Sequence, residues 1–147
     1  MCIKSSDYDQ QVEAIRAYNQ PILDTFQAWL TETGLADKTV RSHVENISFF
    51  TEYLVYYEPL KRLDEAGAGD VDTFLTSWFP RKAMWASESS IKSNIASFKK
   101  FFQWIGKTGR VSTKTTTEVL TMLKENRDEF LRAVEEYEKS LDEWDDS

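Results

Sequence analysis

Lysines and small hydroxyl residues recur on one side of the stretch formed by residues 87–106, SESSIKSNIASFKKFFQWIG. At the spacing of an α-helix, they share a face that is distinct from an apolar stripe. That face contains Ser89, Lys92, Ser93, Ala96, Lys99 and Lys100. Ammonium and hydroxyl groups bind phosphate oxygens, and small side chains let a nucleic-acid backbone approach closely. The pattern therefore indicates phosphate binding, with ordinary solvated lysines on an amphipathic helix as the alternative.

The charge distribution supports the same chemistry. Arg81 and Lys82 precede the predicted helix, whose N-terminus itself favours an anion. Residues 81–114 carry eight Lys or Arg against one acidic residue, Glu88, whereas the segments on either side are acidic. The net charge of −7 therefore does not exclude a nucleic-acid partner, because a concentrated basic patch says more about partners than the total does.

Catalytic and metal-binding chemistry find little support in the sequence. The chain contains one cysteine, Cys2, and one histidine, His43, so no cysteine–histidine cluster can hold zinc. His43 falls on the apolar side of a predicted helix, between Val40 and Ile47, which is typical of a core residue. No glycine-rich phosphate loop follows a strand pattern. We therefore predict a protein that is not an enzyme and that uses no cofactor and no metal.

Aromatic residues make up 14% of the chain and could either pack a core or stack on bases. Phe98, Phe101 and Phe102 fall on the apolar stripe of residues 87–106, which favours core packing. Trp104 belongs to the same aromatic run, and we interpret it in the same way. Trp85 lies in a basic loop before the helix, and there both interpretations stay open.

The elements that position these residues are all predicted to be helical. Apolar residues recur at helical spacing, and no segment has the alternation typical of a strand. Helices are predicted at about residues 19–33, 37–57, 70–79, 87–106 and 116–144. Their boundaries are indicated by Pro21 in a first turn, Gly34 after a helix end, Asp37 and Ser87 as N-caps, Pro80 as a stop, and a capping box from Thr115 to Glu118.

The domain organisation follows from these helices. We predict a polar N-terminal extension over residues 1–18, a helical domain over residues 19–110, and a C-terminal helix with an acidic tail over residues 111–147. No apolar run approaches the length of a membrane span, and the first ten residues lack the apolar core of a signal peptide. We expect a cytoplasmic protein with no membrane partner.

Three motifs, taken in order, resemble a known family. Residues 34–43, GLADKTVRSH, resemble the second-helix signature of the core-binding domain of tyrosine recombinases, the phage integrase family. Residues 63–65 and 70–75 resemble the third element of that domain. Residues 89–104, SSIKSNIASFKKFFQW, resemble its fourth helix. The resemblance covers about residues 20–106.

The resemblance implies a SAM-like four-helix bundle that covers one side of duplex DNA, here followed by a long acidic C-terminal helix. It also implies that the second and fourth helices contact the major groove and backbone. Carried onto matching positions, the contacts would come from Lys38, Thr39, Arg41, Ser42, Ser89, Ser90, Lys92, Ser93, Lys99 and Lys100. The chain departs from the family pattern at His43, where the family commonly has tyrosine, and at Ser93, where it often has arginine. Glu45 also stands near a position that is often basic in the family.

Two hypotheses for the function follow. The first is a non-catalytic protein that binds double-stranded DNA and is accessory to DNA integration or recombination, with a separate recombinase or a second copy of the chain as further partners. The family's catalytic domain requires His-x-x-Arg, and we expect no such activity because His43 is followed by Val44-Glu45-Asn46. The alternative is a helical protein-interaction module or homo-oligomer that uses the acidic C-terminal helix and has lost DNA binding. In a hybrid of the two, the acidic tail covers the basic face.

Overall fold

The computed structural model describes the backbone of residues 5–145 and the side chains of residues 7–140. The predicted all-α class is confirmed, because every regular element within residues 5–145 is helical. A 3-10 turn covers Leu63–Glu65 and a π-helical turn covers Phe74–Trp78. The α-helices are α1 (Ser5–Glu32), α2 (Asp37–Leu54), α3 (Ala68–Thr73), α4 (Phe79–Lys82), α5 (Glu88–Lys107), α6 (Thr113–Glu125) and α7 (Arg127–Asp145).

The described residues form two compact units, one ending at Ala66 and the other beginning at Gly67. In the first unit, α1 packs against α2. Phe26 and Leu30 of α1 and Ile47 and Phe50 of α2 are completely buried. Gly34 has a φ of +89°, which confirms it as the left-handed residue that follows the end of α1.

The predicted helix start near Asn19 is wrong, because α1 is continuous from Ser5 and contains Pro21. A proline inside a helix removes one backbone hydrogen bond and costs about 3 kcal/mol. Contacts made by the N-terminal half of α1 within the first unit offset this cost. Val12 is buried, Arg16 pairs with Glu52 at 2.9 Å, and Asn19 Oδ1 accepts from the backbone N–H of Leu63 at 2.9 Å.

Both ends of α2 differ slightly from the prediction. The N-cap residue is Ala36, so Asp37 occupies the first helical position and does not cap the helix. The helix ends at Leu54, three residues before the predicted end at Tyr57. In the 3-10 turn that follows, the backbone N–H of Arg62 donates to Glu65 Oε1 at 2.9 Å, and this bond lowers the pKa of Glu65 below its ordinary value.

The second unit begins with a helical segment that runs through the predicted stop at Pro80. The wide π-helical turn immediately before Pro80 allows this continuation. There the N–H of Phe79 donates to the carbonyl of Phe74, five residues earlier. Proline has no N–H and clashes with the carbonyl four residues earlier in an ordinary α-helix. Pro80 is therefore tolerated in the first turn of α4, which extends to Lys82.

Helix α5 is the central element of the second unit and packs against α6 and α7. Its predicted apolar stripe is confirmed: Ile91, Phe98 and Ile105 are completely buried, and Phe101 and Phe102 are 1% exposed. Trp104 is buried as well. The ring of Phe98 lies 5.7 Å from the ring of Phe74, edge to face. Burial of each such side chain contributes about 1.5–3 kcal/mol, so this stripe fixes the rotation of α5 and the direction of its opposite face.

The single C-terminal helix predicted for residues 116–144 is wrong, because the structure contains two helices, α6 and α7. They are separated at Asn126, whose backbone dihedrals, φ −99° and ψ 9°, are not helical. The start of α6 also differs. Ser112 is the N-cap, and its side chain accepts from the N–H of Thr115. The helix therefore begins before the predicted capping box from Thr115 to Glu118. The break lets Phe130 and Val134 of α7 become completely buried.

Candidate nucleic-acid interface

The outward face of α5 carries the predicted phosphate-binding residues. Lys92, Lys99 and Ser89 are exposed, and Ser93 and Lys100 are partly exposed. Lys92 and Lys99 are two helical turns, about 10 Å, apart along the axis. Gln103 and Lys107 continue the same exposed face toward the C-terminus. This row of cations is held in place by the buried aromatic stripe on the other side of the helix.

Lys92 also makes an ion pair within the helix. Its Nζ lies 3.0 Å from Glu88 Oε1, and the two side chains are 47% and 52% exposed. An exposed pair of this kind contributes little to stability, about 0–1 kcal/mol. Because the ion pair is weak, an incoming phosphate can replace the Glu88 carboxylate as the partner of Lys92.

The N-terminus of α5 is closed by a serine pair. Ser87 Oγ accepts from the backbone N–H of Ser90 at 3.1 Å, and Ser90 Oγ accepts from the backbone N–H of Ser87 at 2.7 Å. Ser87 was predicted as the cap, and the structure confirms it. Ser90 was predicted as a DNA contact, but its hydroxyl is engaged in this capping box. Ser89, at the adjacent helical position, is exposed and is not part of the capping box.

Replacing the capping serine tests this local geometry. Ser87→Ala is expected to lower the free energy of unfolding by about 1 kcal/mol, because the N–H of Ser90 loses its acceptor. Urea denaturation followed by circular dichroism measures this change. The matched control is Ser89→Ala, for which we expect a change within about 0.5 kcal/mol. An equal cost for both variants would contradict the assignment of Ser87 as the cap.

Arg81 and Lys82 are exposed at the end of α4. Arg81 is anchored to the π-helical turn: its Nε donates to the carbonyl of Ser77 at 3.0 Å, and its Nη2 donates to Ser77 Oγ at 3.1 Å. The remaining guanidinium N–H groups can still bind an anion, because arginine carries five donors. Arg81 and Lys82 lie in the second unit, as do the α5 residues.

The predicted residues of α2 belong to the first unit. Lys38, Thr39 and Arg41 are exposed, and Ser42 is partly exposed. Arg41 lines a shallow depression that is also lined by Asp37 and Glu45. The two carboxylates weaken the positive potential around Arg41, so the α2 set is a less favourable phosphate site than the α5 set. His43 is buried on this helix, as predicted for a core residue.

Sequence reasoning missed some features of this region. Asn94 and Ser97 of α5 are buried among the apolar residues, where helical spacing alone predicts no polar side chain. The side chains of Met84 and Trp85 are 98% and 57% exposed in the loop that joins α4 to α5. The exposure of Trp85 is not one of the missed features, because its position in a short basic loop outside any helical stripe already indicated it.

Two further kinds of site are absent from the described part of the chain. Within it, no group of three or more histidine, cysteine or acidic residues is arranged to hold a metal ion. None of its helices is both long enough and apolar enough to cross a membrane.

The described elements are all helical, and α5 presents an exposed basic face. Residues 23–109 match the family described as phage integrase, N-terminal SAM-like domain, and the chain belongs to that family. The matched region agrees with the resemblance inferred for residues 20–106, which is thereby confirmed. Comparisons with curated proteins and with solved structures found no match.

Proposed function

We propose that this chain binds double-stranded DNA without catalysing a reaction on it, and that this binding serves DNA integration or recombination. The observation that carries the proposal is the outward face of α5, where Lys92, Lys99 and Lys100 accompany small hydroxyl residues. Membership of the integrase N-terminal domain family supports DNA as the source of the phosphates. A separate recombinase, or a second copy of the chain, is a further partner consistent with this role.

Rigidity of the lysine face is the physical basis of the proposal. A phosphate contact contributes more when the helix that carries it does not reorganise on binding. The apolar stripe of α5 is almost completely buried, so its backbone is fixed in the unit before DNA arrives. Lysine side chains remain adaptable and fit a regular backbone without reading sequence. The expected binding is therefore electrostatic and tolerant of sequence.

The residues divide into stronger and weaker contacts. The α5 lysines form the main contact, and Arg81 and Lys82 add cations before the helix N-terminus. Lys38, Thr39, Arg41 and Ser42 form the contact from α2, weakened by the carboxylates beside Arg41. The hydroxyl of Ser90 contributes least, because the capping box uses it.

Salt dependence tests the proposal. If about five phosphates are neutralised, the logarithm of the association constant should fall with the logarithm of salt concentration at a slope of about −4.5. Fluorescence anisotropy of a labelled random duplex, titrated with the full chain at several salt concentrations, measures this slope. A labelled neutral polymer of similar size is the control. No binding at low salt, or a flat response to salt, would contradict the proposal.

A protein-interaction role is the second candidate, and the surface of α7 favours it. Glu135, Glu136 and Glu138 are exposed on that helix. A basic partner protein or a second copy would meet these carboxylates. Sedimentation of the full chain over a range of concentrations tests the second copy, because a monomer at every concentration excludes self-association. The absence of a co-purifying basic protein would count against the other partner. The tail at residues 141–147 lies outside the described side chains.

A further inference from the structure

The loop formed by residues 83–86 presents an aromatic side chain to solvent in a defined position. The N–H of Ala83 donates to the carbonyl of Phe79 at 3.0 Å, and the N–H of Ala86 donates to the carbonyl of Ala83 at 3.2 Å. These bonds fold the loop into a turn. The ring of Trp85 lies 6.3 Å from that of Phe79, edge to face, yet the residue is 57% exposed. Phe79 is itself buried and thus holds the tryptophan ring at the surface.

The surroundings of this ring distinguish it from an ordinary exposed apolar residue. Met84 beside it is 98% exposed, and Arg81 and Lys82 precede the pair. A single surface apolar residue requires no explanation, whereas an aromatic ring next to cations has a specific chemistry. Rings that stack on bases, together with cations that follow the phosphates, are how proteins hold unpaired nucleotides.

A groove lies beside this loop, and Trp85 is not among the residues that line it. Its volume is about 290 Å³, and its lining includes Pro80, Lys82 and Met84 on one side and Tyr137 and Glu138 of α7 on the other. The Glu138 carboxylate repels phosphate, whereas the cations at the end of α4 attract it. The phosphate of a nucleotide stacked on Trp85 would therefore be drawn toward Arg81 and Lys82 and away from Glu138.

We propose that Trp85 stacks on an unpaired base of DNA whose duplex part is held by the outward face of α5. This inference rests on the proposed function. Inside a duplex each base is covered by its neighbours, so a protein ring reaches the face of an internal base only where pairing is lost. The preferred ligand of the full site is thus duplex DNA that contains a short unpaired segment. The residues of the proposed duplex contact account for binding to intact duplex without Trp85.

The test compares two probes with the full chain: a labelled blunt duplex, and the same duplex with a central bubble of unpaired thymines. Stacking contributes about 1–3 kcal/mol per base, so the bubble should bind about tenfold more tightly than the blunt duplex. Trp85→Ala should remove this preference and leave affinity for the blunt duplex unchanged. Trp85→Phe should keep most of it, because an aromatic ring is retained. Tyr57→Ala, at another exposed aromatic residue, should change neither affinity.

A spectroscopic readout accompanies the binding data. Stacking on Trp85 should quench the intrinsic fluorescence of the chain when bubble DNA is added, and the quenching should disappear in Trp85→Phe. Circular dichroism verifies that each variant is folded. Equal affinity for the two probes, or an unchanged preference in Trp85→Ala, would overturn the inference about Trp85. The proposed function would still be upheld in that case if the chain binds the blunt duplex. Binding to the bubble alone would instead overturn duplex binding and uphold the role of Trp85.

Discussion

Reversing the charge of the three α5 lysines, as Lys92→Glu, Lys99→Glu and Lys100→Glu together, is expected to abolish binding to duplex DNA. Each lysine that neutralises a phosphate contributes about 0.9 to the salt slope, so the triple variant should lose most of a slope near −4.5. Glutamates at these positions also repel the backbone. We expect the affinity at low salt to fall at least about 100-fold, measured by anisotropy with the same duplex.

A matched variant separates this local effect from the change in net charge. Lys124→Glu, Arg127→Glu and Lys139→Glu change the net charge by the same amount at exposed positions of α6 and α7. We expect the matched variant to bind much more tightly than the α5 variant. The glutamate at position 92 faces Glu88 one turn away and costs about 0.2–0.5 kcal/mol of stability, which leaves the fold intact. Equal losses of affinity in the two variants would mean that α5 is not the contact surface.

Phe98→Ala is expected to have the largest effect on stability, a loss of about 3–5 kcal/mol in the free energy of unfolding. Phe98 is completely buried and packs against Phe74, so truncation leaves a cavity beneath α5. For a domain of this size, such a loss is a large part of the total stability. Urea denaturation followed by circular dichroism measures it.

Two controls make this result specific. Phe98→Leu retains most of the apolar volume, and we expect a smaller loss than for Phe98→Ala. Trp85→Ala removes a larger side chain that is 57% exposed, and we expect it to cost little. A cost below about 1 kcal/mol for Phe98→Ala would contradict the view that the aromatic stripe fixes the orientation of the lysine face.

Helix α5 could be predicted from sequence almost completely. Its lysines and small residues occupy one face and its isoleucines and phenylalanines occupy the other, so a single helical period describes both the buried and the exposed set. The N-cap at Ser87 is confirmed as well. Within residues 89–100 the predicted outward residues are all exposed or partly exposed.

Other boundaries depend on contacts between distant residues and could not be predicted locally. Pro21 is a helix-start signal by itself, but the bond from Leu63 to Asn19 and the burial of Val12 keep α1 continuous through it. Pro80 is a stop signal by itself, but the π-helical turn accommodates it. At the break, Asn126 is a residue type common at helix ends, but the apolar period of α6 continues into α7 and hides this signal.

For the candidate residues, the sequence predicted exposure at the surface but not their local roles. Periodicity predicts that Ser90 is on the surface, but it does not predict that the capping box occupies its hydroxyl. Periodicity also does not predict how exposed Trp85 is, because this residue lies in a loop where no helical period applies. The closeness of Asp37 and Glu45 to Arg41, by contrast, follows from their spacing of four residues on the predicted helix.

The most direct test of the central claim is to map the DNA-contacting surface of the full chain by NMR. At 17.1 kDa, the chain is small enough for amide chemical shifts to be followed while a short duplex is added. We predict that the largest shifts occur at residues 89–100 and 38–42 and that they decrease as salt is raised. Shifts confined to α7, or none at low salt, would contradict the claim that the outward face of α5 holds duplex DNA.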